Sequence, residues 1–298
     1  MRRLGVLALL ILIAAGCGDA TDDPSAATTE PVPTTAAKPT TSAVAAADAR
    51  AASGCEVLHE PGEYEGVGHY GDVEQPYWMV VPATYAEIAP APLYVHLAAA
   101  PGDHDGFMEG FRPYLNDLES LMIIVNTETP PRGQADALAS LVDQISNEYC
   151  VEAQRVHVLG TSHSFHMAEH FACEYSDRVA SFIAALGGVV GDCRPEHPVP
   201  LLTFTGDDDR YGVERLVAKW VEINGCDREP VVEDLGSGVR RKTYQNCAAD
   251  ILFYDIEGMG HRWPLHEAKG PAAAWFAEYD EVDYYEEAYK FFADNPLP

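Results

Sequence analysis

Ser162 lies in a segment whose pattern would expose its hydroxyl for nucleophilic attack. The apolar run that starts at Val156 leads into Gly160-Thr-Ser162-His-Ser164, and a second apolar segment begins at Phe165. A strand, a tight turn with small residues two before and two after a serine, and a helix hold that serine in a strained conformation clear of the sheet edge. A serine hydroxyl is a weak nucleophile at neutral pH, so it needs a histidine to accept its proton and an acid to orient that histidine.

A candidate acid and a candidate base follow two further predicted strands. Asp209 ends an acidic Gly-Asp-Asp-Asp turn behind the strand Leu201–Thr205, and His261 lies on a glycine-rich loop behind the strand Ile251–Ile256. The chain order serine, acid, histidine, each at the end of a different strand, is the order found in α/β-hydrolases. Each of these residues alone is a common surface residue. Together they predict a catalytic triad with Ser162 as its nucleophile.

The elements that must position this triad alternate between strands and helices. Apolar runs rich in β-branched and aromatic residues predict strands, and apolar residues at helical spacing predict helices. The predicted strands are Tyr77–Val81, Leu93–Leu97, Leu121–Val125, Val156–Leu159, Phe182–Ala185, Leu201–Thr205 and Ile251–Ile256. The predicted helices are Leu138–Tyr149, Phe165–Tyr175, Tyr211–Asn224 and Val282–Phe292. This alternation predicts an α/β fold of the α/β-hydrolase type, with a mostly parallel central sheet and helices on both faces. Ligands of such sheets bind beyond the carboxyl ends of the strands.

Four stretches carry a more specific resemblance. They are Leu-Gly-Thr-Ser162, Phe171-Ala-Cys-Glu-Tyr-Ser-Asp-Arg178, Pro200-Leu-Leu-Thr-Phe-Thr-Gly-Asp-Asp-Asp209 and Ile256-Glu-Gly-Met-Gly-His-Arg-Trp-Pro264. Between about Tyr77 and Phe292 the chain resembles the secreted polyhydroxybutyrate depolymerase and feruloyl esterase family. The resemblance implies that Ser162 is the nucleophile, His261 the base and Asp209 the acid. It also implies small or polymeric ester substrates (hydroxyalkanoate, hydroxycinnamate or acetylated-sugar esters) and no metal or organic cofactor.

The chain departs from the family pattern after the strand that ends at Leu97. The family has His-Gly there, in a loop that supplies one backbone N–H to the oxyanion hole, whereas this chain reads Ala98-Ala-Ala-Pro101. Ala99 or Ala100 is the predicted donor, because proline has no N–H. The second predicted donor is the backbone N–H of His163. Losing one such donor typically lowers kcat by about 10²–10³-fold.

A second departure is Ser164, which stands where the family has glycine. Its Cβ and hydroxyl lie where strand and helix crowd, and they are either tolerated or tilt the serine turn. The two departures leave a second hypothesis open, in which the chain keeps the hydrolase scaffold and binds a ligand with weak or no catalysis.

Several aromatic residues near the predicted triad are candidates for substrate contact. Trp263 is predicted to form an aromatic wall for the substrate, with a packing role as the alternative. His163 is predicted to contact substrate from the floor of the cleft, and His166 to pack on the helix. His96 and His157 lie within predicted strands and are expected to be core residues with satisfied hydrogen bonds.

The chain has seven cysteines. If Cys17 is lipidated, six remain in a compartment where thiols oxidise, and six cysteines allow 15 pairings. Proximity along the chain predicts the pairs Cys173–Cys193 and Cys226–Cys247. The pair Cys55–Cys150 then remains. A zinc site is rejected because no C-x-x-C pair is present.

The N-terminal residues predict an exported protein. A basic start, the apolar run Leu4–Ala15 and small residues before Cys17 predict a lipoprotein-type signal peptide over residues 1–17, too short to span a bilayer. Lipidation of Cys17 is expected, with ordinary secretion as the alternative. Residues 18–53, rich in Thr, Ala and Pro, predict a disordered tether. Residues 54–298 then form one α/β-hydrolase domain.

The charge of the chain limits its partners. With 47 acidic and 19 basic residues the formal net charge is −28, which argues against nucleic acid or anionic lipid as a ligand. The expected membrane contact is therefore the N-terminal lipid alone. The expected location is extracytoplasmic, either anchored at a bacterial cell surface or secreted.

Overall fold

The computed structural model describes residues 54–56, 58–98, 119–125, 134–188, 192, 194–267 and 274–298. These residues belong to one compact unit. The predicted signal peptide with Cys17 and the tether over residues 18–53 lie outside the described residues. So do the predicted oxyanion residues Ala99 and Ala100, and Cys193.

A ten-stranded sheet lies at the centre of the described region. Its strands are β1 (Gly62–Tyr70), β2 (Val73–Val81), β3 (Ala91–Leu97), β4 (Leu121–Val125), β5 (Val151–Thr161), β6 (Ser181–Ala185), β7 (Leu201–Gly206), β8 (Val231–Gly236), β9 (Val239–Thr243) and β10 (Ile251–Ile256). They lie in the order β1-β2-β4-β3-β5-β6-β7-β10-β9-β8. The six neighbouring strands β4, β3, β5, β6, β7 and β10 run parallel. The antiparallel hairpins β1–β2 and β8–β9 flank them at the two edges. Two short strands, β11 (Trp263–Leu265) and β12 (Phe276–Glu278), pair separately.

Five helices are present in the described residues. They are α1 (Tyr85–Ile88), α2 (Gln134–Glu148), α3 (Phe165–Glu174), α4 (Glu214–Ile223) and α5 (Tyr284–Asp294). None of these helices is long and apolar enough to cross a bilayer. Helix α5 begins after Asp283, whose carboxylate accepts hydrogen bonds from the N–H groups of Tyr285 and Glu286. Such an N-cap satisfies donors that the first helical turn leaves open.

Both faces of the sheet are buried. Along β3, Leu93 and Val95 face a core that includes residues of α2, α3 and α4, whereas Tyr94 faces a second core that includes residues of α5. Neighbouring residues of a strand point to opposite faces, so each central strand contributes to both cores. This explains the continuous apolar run of β4, Leu121–Val125. The predicted mostly parallel sheet with helices on both faces is confirmed.

The predicted elements are all present, but some boundaries differ. Helix α4 begins at Glu214 rather than at Tyr211, because Gly212 adopts a φ of +61° that interrupts the helical backbone. Helix α5 begins at Tyr284 rather than at Val282, because Asp283 is its cap. Strand β1 at one edge of the sheet and the β8–β9 hairpin at the other were not predicted. These strands carry charged residues and bury few side chains, so they lack the apolar pattern of the central strands.

Disulfides fix two points of the fold. Cys55–Cys150 joins the first described segment to the residue before β5, and Cys226–Cys247 joins the end of α4 to the segment before β10. Both pairings are those predicted from the sequence. Cys173 is also disulfide-bonded, while its predicted partner lies outside the described residues. Each bridge typically contributes about 2–4 kcal/mol to stability.

Candidate active site

Ser162 occupies a strained turn between β5 and α3. The chain passes from the end of β5 into a 3-10 turn, Ser162–Ser164, and then directly into the helix. Ser162 has a φ of +54°, a region that residues other than glycine seldom occupy. A Cβ on Gly160 would overlap the carbonyl oxygen of Ser164 and crowd Ala168, so only glycine lets strand and helix approach this closely. Strain of this kind clusters at functional sites.

Ser164, two residues after Ser162, is built into this turn. It is 1% exposed, and its hydroxyl oxygen lies 2.8 Å from the carbonyl oxygen of Leu97 and 3.0 Å from that of Thr161. The same hydroxyl accepts a hydrogen bond of 3.0 Å from the N–H of Thr161. The side chain therefore ties the residue before the nucleophile to the last residue of β3. The structure accommodates Ser164 by hydrogen bonding rather than by separating strand and helix.

The turn after β7 and the loop after β10 are held against each other. A Cβ on Gly206 would overlap the carbonyl group of Met259, so the close contact of the two loops requires glycine at this position. The carboxylate of Asp207 accepts a hydrogen bond of 2.6 Å from the N–H of Gly258. These contacts set the position of the acidic turn relative to the histidine loop.

The structure brings the three residues of the predicted triad together. Ser162 Oγ lies 2.7 Å from His261 Nε2, and His261 Nδ1 lies 3.0 Å from Asp209 Oδ2. The Asp209 side chain is 1% exposed and that of His261 is 37% exposed. The carboxylate thus holds one ring nitrogen from within the protein, while the other nitrogen faces the hydroxyl at the surface. This geometry allows the imidazole to accept the serine proton while the carboxylate stabilises the resulting imidazolium.

An aromatic residue that was not predicted lies beside the triad. The Tyr211 ring has its centroid 5.1 Å from that of His261, at an interplanar angle of 55°, and the residue is 45% exposed. The sequence pattern assigned Tyr211 to the predicted helix Tyr211–Asn224. Its position directly after the acidic turn was the signal that could have placed it at the site.

Trp263, by contrast, belongs to the core. It is 4% exposed and its ring stacks on Tyr284 and packs against Phe276. A ring with so little exposed surface cannot line a cleft, so the prediction that Trp263 forms a wall for the substrate is wrong. Two residues beyond His261 the chain has already entered β11, which carries Trp263 into the interior.

The other predicted histidines fall into two groups. His163 and His166 are both exposed, the first beside Ser162 and the second on α3. The His166 ring packs edge-on against that of Phe165 at a centroid distance of 5.5 Å, and its partial burial lowers its pKa. His96 and His157 lie inside β3 and β5, where burial lowers the pKa of each imidazole to about 3. The His157 Nδ1 atom lies 2.8 Å from the Ser181 hydroxyl. The prediction that His96 and His157 are core residues is confirmed. The expectation of satisfied hydrogen bonds is not met at the buried Nε2 of His157, which has no hydrogen-bond partner among the described residues.

The predicted oxyanion donors are described only in part. The N–H of His163 lies in the first turn of the helical segment that starts at Ser162, where N–H groups lack partners within the helix. The N–H of Ala98 bonds to the carbonyl of Val125, so this alanine is committed to the sheet. Ala99 and Ala100 lie outside the described residues and remain predicted donors.

In the part of the chain that the structure describes, no group of three or more His, Cys, Asp or Glu side chains is arranged to hold a metal ion.

Comparisons with known proteins agree with this architecture. The acetyl xylan esterase from Aspergillus awamori superposes with a TM-score of 0.56 at 11% identity, over 78% of this chain and 99% of its own. An S-formylglutathione hydrolase from Agrobacterium tumefaciens gives a TM-score of 0.52 at 11% identity, over 78% of this chain and 94% of its own. This chain has the α/β-hydrolase fold. Ser162, Asp209 and His261 follow the carboxyl ends of β5, β7 and β10, the edge where sheets of this fold bind ligands.

Sequence comparison gives a partial match. Feruloyl esterase B from Piromyces equi is 23% identical over 149 residues, which cover 41% of this α/β-hydrolase chain. The match spans 27% of the relative, so the chain corresponds to about a quarter of that protein's length. No protein-family model matches the chain.

Proposed function

We propose that this protein is an extracytoplasmic serine esterase that hydrolyses carboxylic esters through Ser162, His261 and Asp209. The observation that carries the proposal is the continuous pair of contacts from Ser162 Oγ to His261 Nε2, 2.7 Å, and from His261 Nδ1 to Asp209 Oδ2, 3.0 Å. A nucleophile in hydrogen-bond reach of a base, which is itself oriented by a third group, is the signature of an activated serine.

In the acylation step, Ser162 Oγ attacks the carbonyl carbon of the ester while its proton passes to His261 Nε2. The carbonyl oxygen gains negative charge, which backbone N–H groups of His163 and of Ala99 or Ala100 stabilise in this proposal. His261 then gives its proton to the alkoxide oxygen as the C–O bond breaks. The alcohol leaves, and the acyl group remains on the serine oxygen.

In the deacylation step, water takes the place of the alcohol. His261 Nε2 accepts a proton from the water as its oxygen attacks the acyl carbon. When the acyl–serine bond breaks, that proton returns to Ser162 Oγ and the free carboxylic acid is released. No cofactor is needed for either step, because the proton and the acyl group are the only species transferred.

The resemblance and the names of similar proteins support an ester as substrate. Feruloyl esterase B and acetyl xylan esterase are both named for ester hydrolysis. We place the substrate among hydroxyalkanoate, feruloyl and acetyl esters, as small molecules or as polymers.

The proposed location rests on the N-terminal residues and the disulfides. Residues 1–17 are proposed as a lipoprotein-type signal peptide with lipidated Cys17, and residues 18–53 as a tether for the domain over residues 54–298. The two disulfides of the described region support an oxidising compartment outside the cytoplasm.

The test is hydrolysis of p-nitrophenyl acetate and p-nitrophenyl butyrate by the full chain and by Ser162→Ala. We expect turnover by the wild type and a loss of about 10⁴-fold or more in kcat for the variant. Ser146→Ala is the matched control, because that hydroxyl bonds a carbonyl within α2. It should retain the wild-type rate. Equal rates for the wild type and Ser162→Ala would remove the proposal.

The second candidate function is ligand binding on a hydrolase scaffold with weak or no catalysis. The departure from His-Gly in the segment that follows β3 favours it. A fluorophosphonate probe separates the two functions, because only an activated serine forms the adduct at a useful rate. An adduct mapped by mass spectrometry to Ser162 counts against the binding function, and a wild type that stays unlabelled under conditions where a control serine hydrolase reacts supports it.

A further inference from the structure

Tyr211 presents an aromatic surface beside the base of the triad. The residue is 45% exposed, and its ring centroid lies 5.1 Å from that of His261. Large exposed apolar residues away from interfaces are common singly, so exposure by itself assigns nothing. What distinguishes Tyr211 is its contact with a ring that takes part in the proposed chemistry.

Both ends of Tyr211 are held in place. Its backbone N–H donates a hydrogen bond of 3.3 Å to the carboxylate of Asp209, the acid of the triad. At the other end, the Arg210 guanidinium donates a hydrogen bond of 2.9 Å to the phenolic oxygen and lies 5.0 Å from the ring centroid. The first contact ties the backbone of Tyr211 to Asp209, and the second joins its ring to Arg210, so the two side chains form one surface.

Arg210 has donor groups left for a ligand. Arg210 is exposed, and among the residues that the structure describes its guanidinium makes one hydrogen bond, to Tyr211. A guanidinium offers five N–H donors, of which the bond to Tyr211 uses one. The pair therefore combines a flat apolar face with N–H groups at the edge of that face.

The position of this pair beside His261 indicates which part of an ester it contacts. In the proposed reaction, His261 delivers its proton to the oxygen of the departing alcohol. That oxygen must lie within hydrogen-bond reach of Nε2 when the C–O bond breaks. A surface next to the imidazole is thus next to the alcohol part of the ester, while the acyl part stays bonded to Ser162.

We propose that Tyr211 and Arg210 form a binding surface for the alcohol part of the substrate. This inference rests on the proposed serine esterase function. The preferred alcohol carries a ring whose face packs on Tyr211 and an oxygen at its edge that accepts a hydrogen bond from Arg210. Tyr211 is then a specificity-determining residue, in the place that sequence reasoning had given to Trp263.

Acylation and deacylation should respond differently to the loss of the Tyr211 ring. The alcohol contacts Tyr211 during acylation and has left the site before deacylation begins. Loss of the ring should therefore slow acylation by ring-bearing esters and leave hydrolysis of the acyl-enzyme unchanged. A contact with the acyl part would affect both half-reactions, because the acyl group is present in each.

The experiment measures kcat/KM of the full chain and of Tyr211→Ala on acetate esters that all form the same acetyl-enzyme: ethyl, cyclohexyl, phenyl and 2-naphthyl acetate. For each ester, the ratio of variant to wild type cancels the intrinsic reactivity of the leaving group. We expect kcat/KM for 2-naphthyl acetate to fall about tenfold in the variant and that for ethyl acetate to fall less than twofold. The limiting kcat with activated acetates, which reports deacylation, should be unchanged.

Two further variants sharpen the result. Tyr211→Phe keeps the ring and loses the bond to Arg210, so its ratios should lie between those of wild type and Tyr211→Ala. Tyr64→Ala removes an exposed tyrosine from edge strand β1 and should leave every ratio near one.

The alcohol-side assignment is overturned if the ratio of kcat/KM between Tyr211→Ala and wild type is the same for all four acetates. It is also overturned if this ratio follows the acyl group in a parallel set of ethyl acetate, ethyl butyrate and ethyl benzoate. Either result leaves the esterase function intact. A wild type that neither hydrolyses these esters nor reacts with a fluorophosphonate overturns the proposed function, and this inference with it.

Discussion

Strand β5 places two polar side chains in opposite environments. His157 lies in the middle of the strand, 0% exposed, stacked on Phe292 with a ring-centroid distance of 4.7 Å. Four residues later the strand ends at Thr161, and the next residue, Ser162, faces His261, whose side chain is 37% exposed. One histidine, His157, is thus a neutral part of the core, whereas another, His261, contacts a serine hydroxyl beyond the end of the same strand.

Position in the sheet decides what a histidine of this protein can do. In the interior, burial lowers the pKa of His157 to about 3, so the ring stays neutral at any physiological pH and cannot take up a proton from a nucleophile. At the edge, the buried carboxylate of Asp209 holds the imidazole of His261 and can stabilise its charged form. The comparison predicts opposite results for mutations at the two places.

Replacing the edge histidine should have the largest effect. We expect His261→Ala to lower kcat by about 10⁵-fold or more on p-nitrophenyl butyrate, because the serine loses its base. Its melting temperature should stay close to that of the wild type, since the side chain is partly exposed. His157→Gln should show the reverse, with a lower melting temperature and a kcat per folded molecule within about twofold of the wild type. A large loss of kcat in folded His157→Gln would break the comparison.

Replacing the acid should have the next largest effect. Asp209→Asn keeps the size of the side chain, but it removes the charge and favours the wrong imidazole tautomer. We expect kcat to fall by about 10⁴-fold, as estimated for an acid-to-amide change in a serine triad. Asp208→Asn is the matched control, because the Asp208 side chain is exposed. This substitution should change kcat by less than twofold. Similar rates for the two variants would assign the orienting role to another residue.

The interior histidines should make the protein sensitive to acid. His96 and His157 each have a pKa lowered by burial from 6.5 to about 3 in the folded protein. The unfolded chain therefore binds protons that the folded chain does not. Above about pH 6.5 neither state binds these protons, and the free energy of unfolding is not reduced. As the pH falls from 6.5 toward 3, proton binding by the unfolded chain lowers this free energy by on the order of a few kcal/mol for each ring.

The measurement is the free energy of unfolding by urea between pH 7.5 and 4. The slope of this free energy against pH should be smaller for His157→Gln than for the wild type by about 1.4 kcal/mol per pH unit between pH 4 and 6, which corresponds to one proton. His170→Gln is the control, because this histidine lies exposed on α3. An unchanged slope in His157→Gln would mean that the ring is protonated in the folded state.

The same contrast explains how much the sequence could predict. The central strands and the order of Ser162, Asp209 and His261 were readable, because buried parallel strands are continuous apolar runs and each triad residue follows one. The sequence placed Trp263 at the cleft because it is aromatic and near His261, but two residues of chain suffice to cross from the surface to the core. Tyr211 was missed because helical spacing does not reveal that Gly212 delays the start of α4.

Ser164 lies between the interior of the protein and the site around Ser162. Its hydroxyl is buried, yet it joins Thr161, next to the nucleophile, to Leu97 at the end of β3. Ser164→Ala leaves a buried N–H and a buried carbonyl without this partner, which costs roughly 1–3 kcal/mol of stability. If the hydroxyl also positions the nucleophile, kcat should fall about tenfold with KM nearly unchanged, because small misplacements of reacting groups mainly raise the barrier.

Ser164→Gly distinguishes positioning from packing. Glycine removes the side chain and leaves space in which a water molecule can bond to both Thr161 and Leu97. We therefore expect this variant to recover much of the kcat lost in Ser164→Ala, although glycine lowers the melting temperature through its greater freedom in the unfolded chain. The labelling rate of Ser162 by a fluorophosphonate should follow kcat and not the melting temperature. If both variants keep the wild-type kcat and labelling rate while their melting temperatures fall, Ser164 belongs with His157 to the interior, and the site begins only at Ser162.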